Sequence, residues 1–122
     1  MLYNTLSSIE IVLQKQLNIN KDEALQICSF FKHYKKNMWL YPGTLKRKFS
    51  LDIKSIYILL DSLVEQGILT RYYQLYCSYC QKPMGLVKNF NELPDTFFCE
   101  QCERELLSIE NTLVIYKVVR DD

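Results

Sequence analysis

Four of the five cysteines in this 122-residue chain are arranged as two C-x-x-C pairs. Cys77 and Cys80 form the first pair, Cys99 and Cys102 form the second, and eighteen residues separate the two pairs. Two short turns that each present a pair of thiolates at this spacing are typical of a tetrahedral zinc site. Because four thiolates leave no coordination position for a catalytic water, the pattern predicts one structural Zn²⁺ per chain.

Two disulfides or a redox-active dithiol are the alternatives to a zinc site. Disulfides persist mainly in secreted proteins, and the opening MLYNTLSSIE lacks the basic region and apolar core of a signal peptide. A redox C-x-x-C motif does not need a second copy. Zinc is therefore favoured, and residues 77–112 are too short a segment to fold on apolar burial alone. We expect their folding to depend on the metal.

The other chemically reactive side chains do not form a catalytic pattern. Cys28 falls on the apolar stripe of a predicted helix, which favours a buried, unreactive thiol. His33 is the only histidine and lies off that stripe, and the chain has no glycine-rich phosphate loop. The sequence thus predicts a protein that is not an enzyme and has no small-molecule substrate.

Helix start and stop signals divide the first half of the chain. SSIE at 7–10 has the form of a capping box for a first helix, and Asn20 precedes a second helix that runs to about residue 36. Pro42 suits the start of a short third helix. Ser50 and Asp52, in a tight turn, can cap a fourth helix, and Gly67 stands where a left-handed residue would end it.

The pattern after residue 50 predicts one buried helix face and two strands. The apolar residues that recur at helical spacing in the fourth helix are Ile53, Ile56, Leu59, Leu60 and Leu63. Residues 68–76 and 113–119 are rich in β-branched and aromatic residues. We predict that these two segments pair as antiparallel strands, with the cysteine segment inserted between them.

Two helices joined by a tight turn, followed by LLDSLVEQGILTRY running from a helix into a strand, resemble a winged helix-turn-helix domain over residues 20–76. With the Cys₄ ribbon after it, the domain order is similar to that of archaeal transcription factor E and the alpha subunit of eukaryotic factor IIE. The resemblance implies an α+β fold, a winged helix-turn-helix with a zinc ribbon inserted at or after the wing. Residues 1–76, with 113–119 returning as a wing strand, then form one domain, and residues 77–112 form the ribbon.

Charge is distributed unevenly along the chain. Residues 1–50 carry a net charge of +5, whereas residues 77–122 carry −3, within a total of +1. A basic first half is compatible with nucleic-acid contact without requiring it. The candidate contact residues for a nucleic acid or a protein partner are Lys35, Lys36, Lys46, Arg47, Lys48, Lys54 and Tyr57.

These features favour a small binding module over an enzyme. The predicted fourth helix, which the resemblance makes the recognition helix, carries Asp61 and Glu65, and these carboxylates would repel phosphate. We therefore predict an accessory or adaptor subunit that docks onto a protein complex, with nucleic-acid contact and a homodimer as compatible additions. A winged-helix transcriptional regulator that binds DNA is the alternative. No apolar stretch is long enough to span a membrane, and a cytoplasmic location is expected.

Overall fold

The computed structural model describes the whole chain, residues 1–122, as four α-helices and two antiparallel sheets. The predicted α+β class is confirmed. The helices are α1 (Tyr3–Ile11), which continues into a π-helical turn at Val12–Gln16, α2 (Lys21–Phe31), α3 (Pro42–Lys48) and α4 (Ile53–Glu65). The strands are β1 (Trp39–Leu40), β2 (Leu69–Tyr76), β3 (Pro83–Val87), β4 (Thr96–Cys99), β5 (Arg104–Leu107) and β6 (Thr112–Val118). None of the helices combines the length and the hydrophobicity needed to cross a lipid bilayer.

The chain divides into two compact units. Unit 1 contains residues 1–70 and 116–122, and unit 2 contains residues 71–115, which include the predicted ribbon. The larger sheet has the strand order β1-β6-β2-β3, and β4 and β5 form the smaller sheet. The Tyr76 N–H donates to the Asn111 carbonyl and the Val119 N–H donates to the Ile68 carbonyl, so β2 and β6 run antiparallel. The predicted pairing of residues 68–76 with 113–119 is confirmed.

The helices of unit 1 begin largely where local signals predict. The Asn20 side chain accepts a hydrogen bond from the Glu23 N–H at 2.8 Å, and the Asp52 carboxylate accepts one from the Ser55 N–H at 2.7 Å. Both contacts satisfy backbone donors that the first turn of a helix leaves unpaired. Pro42 occupies the first position of α3, where its missing N–H costs nothing.

The end of α4 is closed by a left-handed glycine. Gly67 has φ of 76°, its N–H donates to the Val64 carbonyl, and the Ile68 N–H donates to the Leu63 carbonyl at 2.9 Å. This pair of bonds is the Schellman motif, which satisfies the last carbonyls of a helix and turns the chain away from its axis. The predicted cap is confirmed, and the turn leads directly into β2.

The first helix begins earlier than its sequence suggests. Ser7 lies inside α1, so the prediction of a capping box at residues 7–10 is wrong. The Leu2 N–H donates instead to the Asp121 carbonyl at 2.7 Å, and the Thr5 N–H donates to the Asp122 carbonyl at 3.0 Å. Distant backbone therefore replaces the local cap, and the contact is invisible to a local sequence pattern.

The core of unit 1 centres on one face of α4. The side chains of Ile56, Leu59, Leu60 and Leu63 are fully buried, as predicted. Ile53 is 43% exposed, which corrects its place in the predicted stripe. Ile53 is the first residue of α4, and helical side chains tilt toward the N-terminus, so its side chain extends past the packed part of the helix.

Candidate metal centre

The first cysteine pair lies in the turn between β2 and β3. The two strands pair antiparallel from Tyr73 opposite Val87 to Tyr76 opposite Pro83, so the turn closes residues 77–82 into a short loop. The Cys77 N–H donates to the Lys82 carbonyl at 2.9 Å, and the Gln81 N–H donates to the Cys77 carbonyl at 2.7 Å. These bonds hold the backbone of the first C-x-x-C pair in a tight knuckle.

The second pair lies at the tip of the β4–β5 hairpin. Cys99 is the last residue of β4 and stands opposite Arg104, the first residue of β5. The residues that follow the second cysteine of each pair, Gln81 and Glu103, have φ of 61° and 53°. The two knuckles therefore share one backbone feature, a left-handed residue directly after the second cysteine, which turns the chain back toward the next strand.

The four sulfurs have the spacing of a tetrahedral metal site. The Sγ atoms of Cys77, Cys80, Cys99 and Cys102 all lie within 4.8 Å of one another. The Cys77–Cys102 and Cys80–Cys99 sulfur pairs are separated by 3.6 and 3.7 Å. A tetrahedron with metal–sulfur bonds of about 2.3 Å has edges of about 3.8 Å. A disulfide bond measures about 2.05 Å, so the four thiols are free and their geometry fits a shared ion.

This group of cysteines also belongs to a small hydrophobic cluster within unit 2. Cys77 and Cys99 are buried together with Leu106, whereas the other two cysteines are half-buried. The partly buried side chains packed against this cluster are those of Met84, Phe97, Cys80 and Cys102. A cluster with so few fully buried apolar side chains contributes little burial free energy, so unit 2 needs a further source of stability.

Hydrogen bonding and burial give the thiols different acidities. Hydrogen bonds from the backbone of Cys80, and secondarily of Tyr79, to the Cys77 sulfur lower the pKa of Cys77 to about 6. Desolvation is the main cause that raises the pKa of Cys102 to about 12, and it also raises the pKa of Cys80. A bound cation would favour the thiolate form of every ligand, because the metal binds only deprotonated sulfur.

The candidate contact residues all lie in unit 1, at its surface. Lys46, Arg47 and Lys48 form the exposed last turn of α3, and the Lys48 ammonium lies 5.3 Å from the centre of the Phe30 ring. Positive charge at the C-terminal end of a helix is favourable, because the last carbonyls carry partial negative charge. The candidate residues elsewhere are Lys35 and Lys36 before β1, which are exposed, and Lys54 and Tyr57 on α4, of which Tyr57 is half-buried.

The later polar residues of α4 contact unit 1 itself. The Asp61 carboxylate accepts a hydrogen bond from the Tyr116 hydroxyl at 2.8 Å, and the Ser62 hydroxyl donates to the Gln16 side chain at 3.0 Å. Sequence patterning missed the role of Tyr116, which is fully buried on β6. Its hydroxyl needs a partner because a buried phenol without a hydrogen bond is costly. Of the two candidate contact residues on α4, Lys54 is exposed and Tyr57 is half-buried, and the other exposed α4 side chains include Ile53, Ile58 and Glu65.

Cys28 and His33, the two other side chains considered for chemistry, lie where the sequence predicts. Cys28 is buried on α2, with its Sγ 3.8 Å from the Leu6 carbonyl oxygen, and burial raises its pKa to about 11. Its thiolate is therefore scarce at neutral pH, as expected for an unreactive core cysteine. His33 follows α2 and is exposed.

Comparison of the chain with protein-family models, with curated proteins and with solved structures finds no match. The arrangement that carries chemical information is the group of four sulfurs, which could hold one metal ion.

Proposed function

We propose that Cys77, Cys80, Cys99 and Cys102 bind one structural Zn²⁺, and that the chain is a non-enzymatic binding module. The observation that carries this proposal is the sulfur spacing of 3.6 and 3.7 Å across two cysteine knuckles. A soft, four-thiolate donor set fits zinc, whereas magnesium and calcium require oxygen ligands. Four protein ligands leave no position for substrate, so the ion would hold unit 2 together without taking part in a reaction.

The proposed module for unit 1 is a winged helix-turn-helix. Its helices α2, α3 and α4 are separated by β1 and by a four-residue connection at 49–52, and α4 leads through Gly67 into β2. The neighbouring strands in the order β1-β6-β2 support this assignment, because the last helix is followed by a pair of antiparallel strands. The segment 77–111, which carries the four cysteines, lies in the chain between those two strands, where a wing loop would stand.

The module is proposed to act as an accessory subunit of a protein complex in the cytoplasm. Winged helices serve either as DNA-binding or as protein-docking modules, so the choice rests on the residues that α4 exposes. Asp61 and Ser62 are engaged within unit 1, and only Lys54 offers positive charge on the exposed first half of α4. A major-groove helix typically presents several donors to bases and phosphates, so this face favours a protein partner.

A DNA-binding transcriptional regulator is the second candidate function. It is favoured by one observation, the three consecutive exposed cations at Lys46, Arg47 and Lys48 in the last turn of α3. Phosphate contacts by such a cluster would give binding that falls steeply as salt rises. The two candidates therefore differ in what they bind and in how that binding responds to nuclease and to salt.

The deciding experiment is purification of the tagged full chain from its native cells, with and without nuclease, followed by mass spectrometry. We expect a stoichiometric protein partner that survives nuclease treatment and is retained when Lys46, Arg47 and Lys48 are changed to alanine. The matched control changes three other exposed lysines, Lys15, Lys21 and Lys88, to alanine and removes the same charge. Recovery of the chain without a protein partner, together with salt-sensitive duplex binding that only the first variant loses, would establish the regulator instead.

A further inference from the structure

Unit 2 carries an apolar groove at the end of the β4–β5 hairpin remote from its cysteine knuckle. The groove has a volume of about 560 Å³, within the range of ligand sites of about 300–1,000 Å³. Its walls come from the segment before β4 and the segment after β5. Its main apolar lining residues are Phe90, Leu93, Pro94, Leu107 and Ile109.

The groove is formed by backbone that is already fixed. The Ser108 N–H donates to the Asp95 carbonyl at 3.1 Å and ties one wall to the other. The Leu93 N–H donates to the Phe90 carbonyl, and the Phe90 ring lies edge-on to Tyr73 with 5.6 Å between centroids. A site that needs no rearrangement before binding loses less free energy to ordering.

Two features of the groove are energetically unfavourable. Ile109 is 78% exposed and Phe90 is 58% exposed, although exposure of such large apolar side chains to water is unfavourable. Ser108, at the base of the groove, has a hydroxyl that is buried without a hydrogen-bond partner. Buried polar atoms without partners are uncommon in native proteins and call for an explanation. An occupant that covers the apolar side chains would account for the first of these features.

The charge around the groove specifies the chemistry of its occupant. Residues 88–110 contain six acidic residues and two basic ones, Lys88 and Arg104, and two of the acidic residues, Glu100 and Glu103, lie at the cysteine knuckle at the other end of the hairpin. The Arg104 guanidinium lies 4.0 Å from the centre of the Tyr79 ring, beside the first cysteine knuckle. Asp95 lines the groove itself, with Glu92 and Glu110 nearby in sequence. This acidic surface would repel nucleic acid and attract a positively charged segment.

We propose that the groove of unit 2 binds a protein segment in which one bulky apolar residue is flanked by lysines or arginines. The apolar residue would lie between Phe90, Leu107 and Ile109, and the flanking cations would lie near the acidic rim. This proposal rests on the proposed function, since it names the surface and the partner chemistry that an accessory subunit would use. Aromatic or aliphatic anchors in apolar pockets commonly dominate the affinity of such contacts.

The test uses the zinc-loaded full chain, labelled with ¹⁵N, and three capped five-residue peptides. The probes are Lys-Lys-Phe-Lys-Lys, the same peptide with serine in place of phenylalanine, and the same peptide with glutamate in place of lysine. We expect amide shifts confined to residues 90–95 and 107–110 with the first probe, and binding about tenfold weaker or more with the other two. Equal binding of all three probes, or shifts elsewhere in the chain, would contradict the proposal.

Two variants locate the binding and check the charge argument. Ile109→Ser should weaken binding of the first probe by about tenfold, whereas Leu86→Ser, a matched change at an exposed aliphatic residue on β3, should leave that binding unchanged. Asp95→Lys should weaken the first probe and reverse the preference between lysine and glutamate peptides. Ile109 is exposed, so its replacement is not expected to unfold unit 2.

Self-association would place a second copy of the chain in the same groove. If the shifts at residues 90–95 and 107–110 appear on raising the protein concentration alone, the occupant is a second copy and the proposal is wrong. Because the peptide test uses purified protein, it is independent of the cellular purification. Peptide binding without any cellular partner would reject the adaptor function. A cellular partner that the Ile109→Ser variant still retains would show that the groove is not its binding site.

Discussion

At the residue scale, the contact between Tyr116 and Asp61 gives the sharpest stability prediction. The Tyr116 hydroxyl is buried and donates to the Asp61 carboxylate at 2.8 Å. We expect Tyr116→Phe to lower the free energy of unfolding of unit 1 by about 1–3 kcal/mol, because a hydrogen bond to a charged group is lost. Urea unfolding followed by helical circular dichroism measures the change. Tyr3→Phe, at an exposed tyrosine of unit 1, serves as the control and should have no effect, and equal behaviour of the two variants would contradict the assigned role.

The left-handed residue after the second knuckle gives a prediction of opposite sign. Glu103 has φ of 53°, a conformation that costs a residue with a side chain about 1–2 kcal/mol and glycine very little. Glycine also has more backbone freedom in the unfolded chain, and this offsets part of the gain. Glu103→Gly should therefore stabilise unit 2 by about 0.5–1 kcal/mol. Glu103→Val should destabilise it, since β-branched residues tolerate this region least. Amide-exchange protection of residues 71–115 in the zinc-loaded protein reports both changes, and equal protection in the two variants would argue against this strain.

At the element scale, the N-terminal cap of α4 predicts a pH dependence. Hydrogen bonds from Ser55, chiefly from its backbone N–H, hold the pKa of Asp52 below its ordinary value of 3.8. A lowered pKa in the folded state means that the carboxylate stabilises the fold above pH 3.8 and that this contribution is lost as pH falls through the folded-state pKa. The advantage of wild type over Asp52→Ala should therefore shrink on acidification, as measured by urea midpoints from pH 2 to 6. Asp52→Asn keeps the capping oxygen without the titration, and its advantage should stay constant across the same range.

The same elements show what a single sequence can predict. Asn20, Asp52 and Gly67 were placed correctly because each cap depends on backbone within about four residues, which a local pattern records. The start of α1 was misplaced because its N–H groups bond to residues 121 and 122 at the other end of the chain. Ile53 fitted the apolar spacing of α4, but spacing alone does not show how far along the helix the neighbouring elements cover it.

The site divides in the same way between local and distant information. The grouping of the four cysteines into one possible metal site followed from C-x-x-C spacing, because each knuckle is a local turn. The groove at Phe90, Leu107 and Ile109 joins residues up to nineteen positions apart through a hairpin register that the sequence did not specify. The hydrogen bond between Tyr116 and Asp61 spans 55 residues and was likewise out of reach.

At the scale of the whole molecule, the two units should respond differently to metal removal. Unit 2 buries few apolar side chains, namely Leu75, Leu106 and Ile115 besides Cys77 and Cys99, whereas unit 1 buries a full set of aliphatic side chains on α4 and its neighbours. Because metal binding contributes directly to the folding of small domains with four-cysteine sites, a chelator should abolish amide-exchange protection in residues 71–115. Protection in residues 1–70 should persist under the same conditions. Simultaneous loss in both units, or retained protection in unit 2, would show that the metal is not the main source of its stability.

Metal analysis of the purified chain tests most directly whether four thiolates hold one zinc ion. Protein prepared in a medium of ordinary trace-metal content, without added zinc, should contain one equivalent of Zn²⁺ per chain. Cys99→Ser should lose it, because the serine hydroxyl is not a ligand that zinc favours in such sites. Cys28→Ser is the matched control, since Cys28 lies outside the cluster in unit 1, and it should keep the full equivalent. Less than half an equivalent in the wild-type protein, or a zinc content that Cys99→Ser leaves unchanged, would contradict the account.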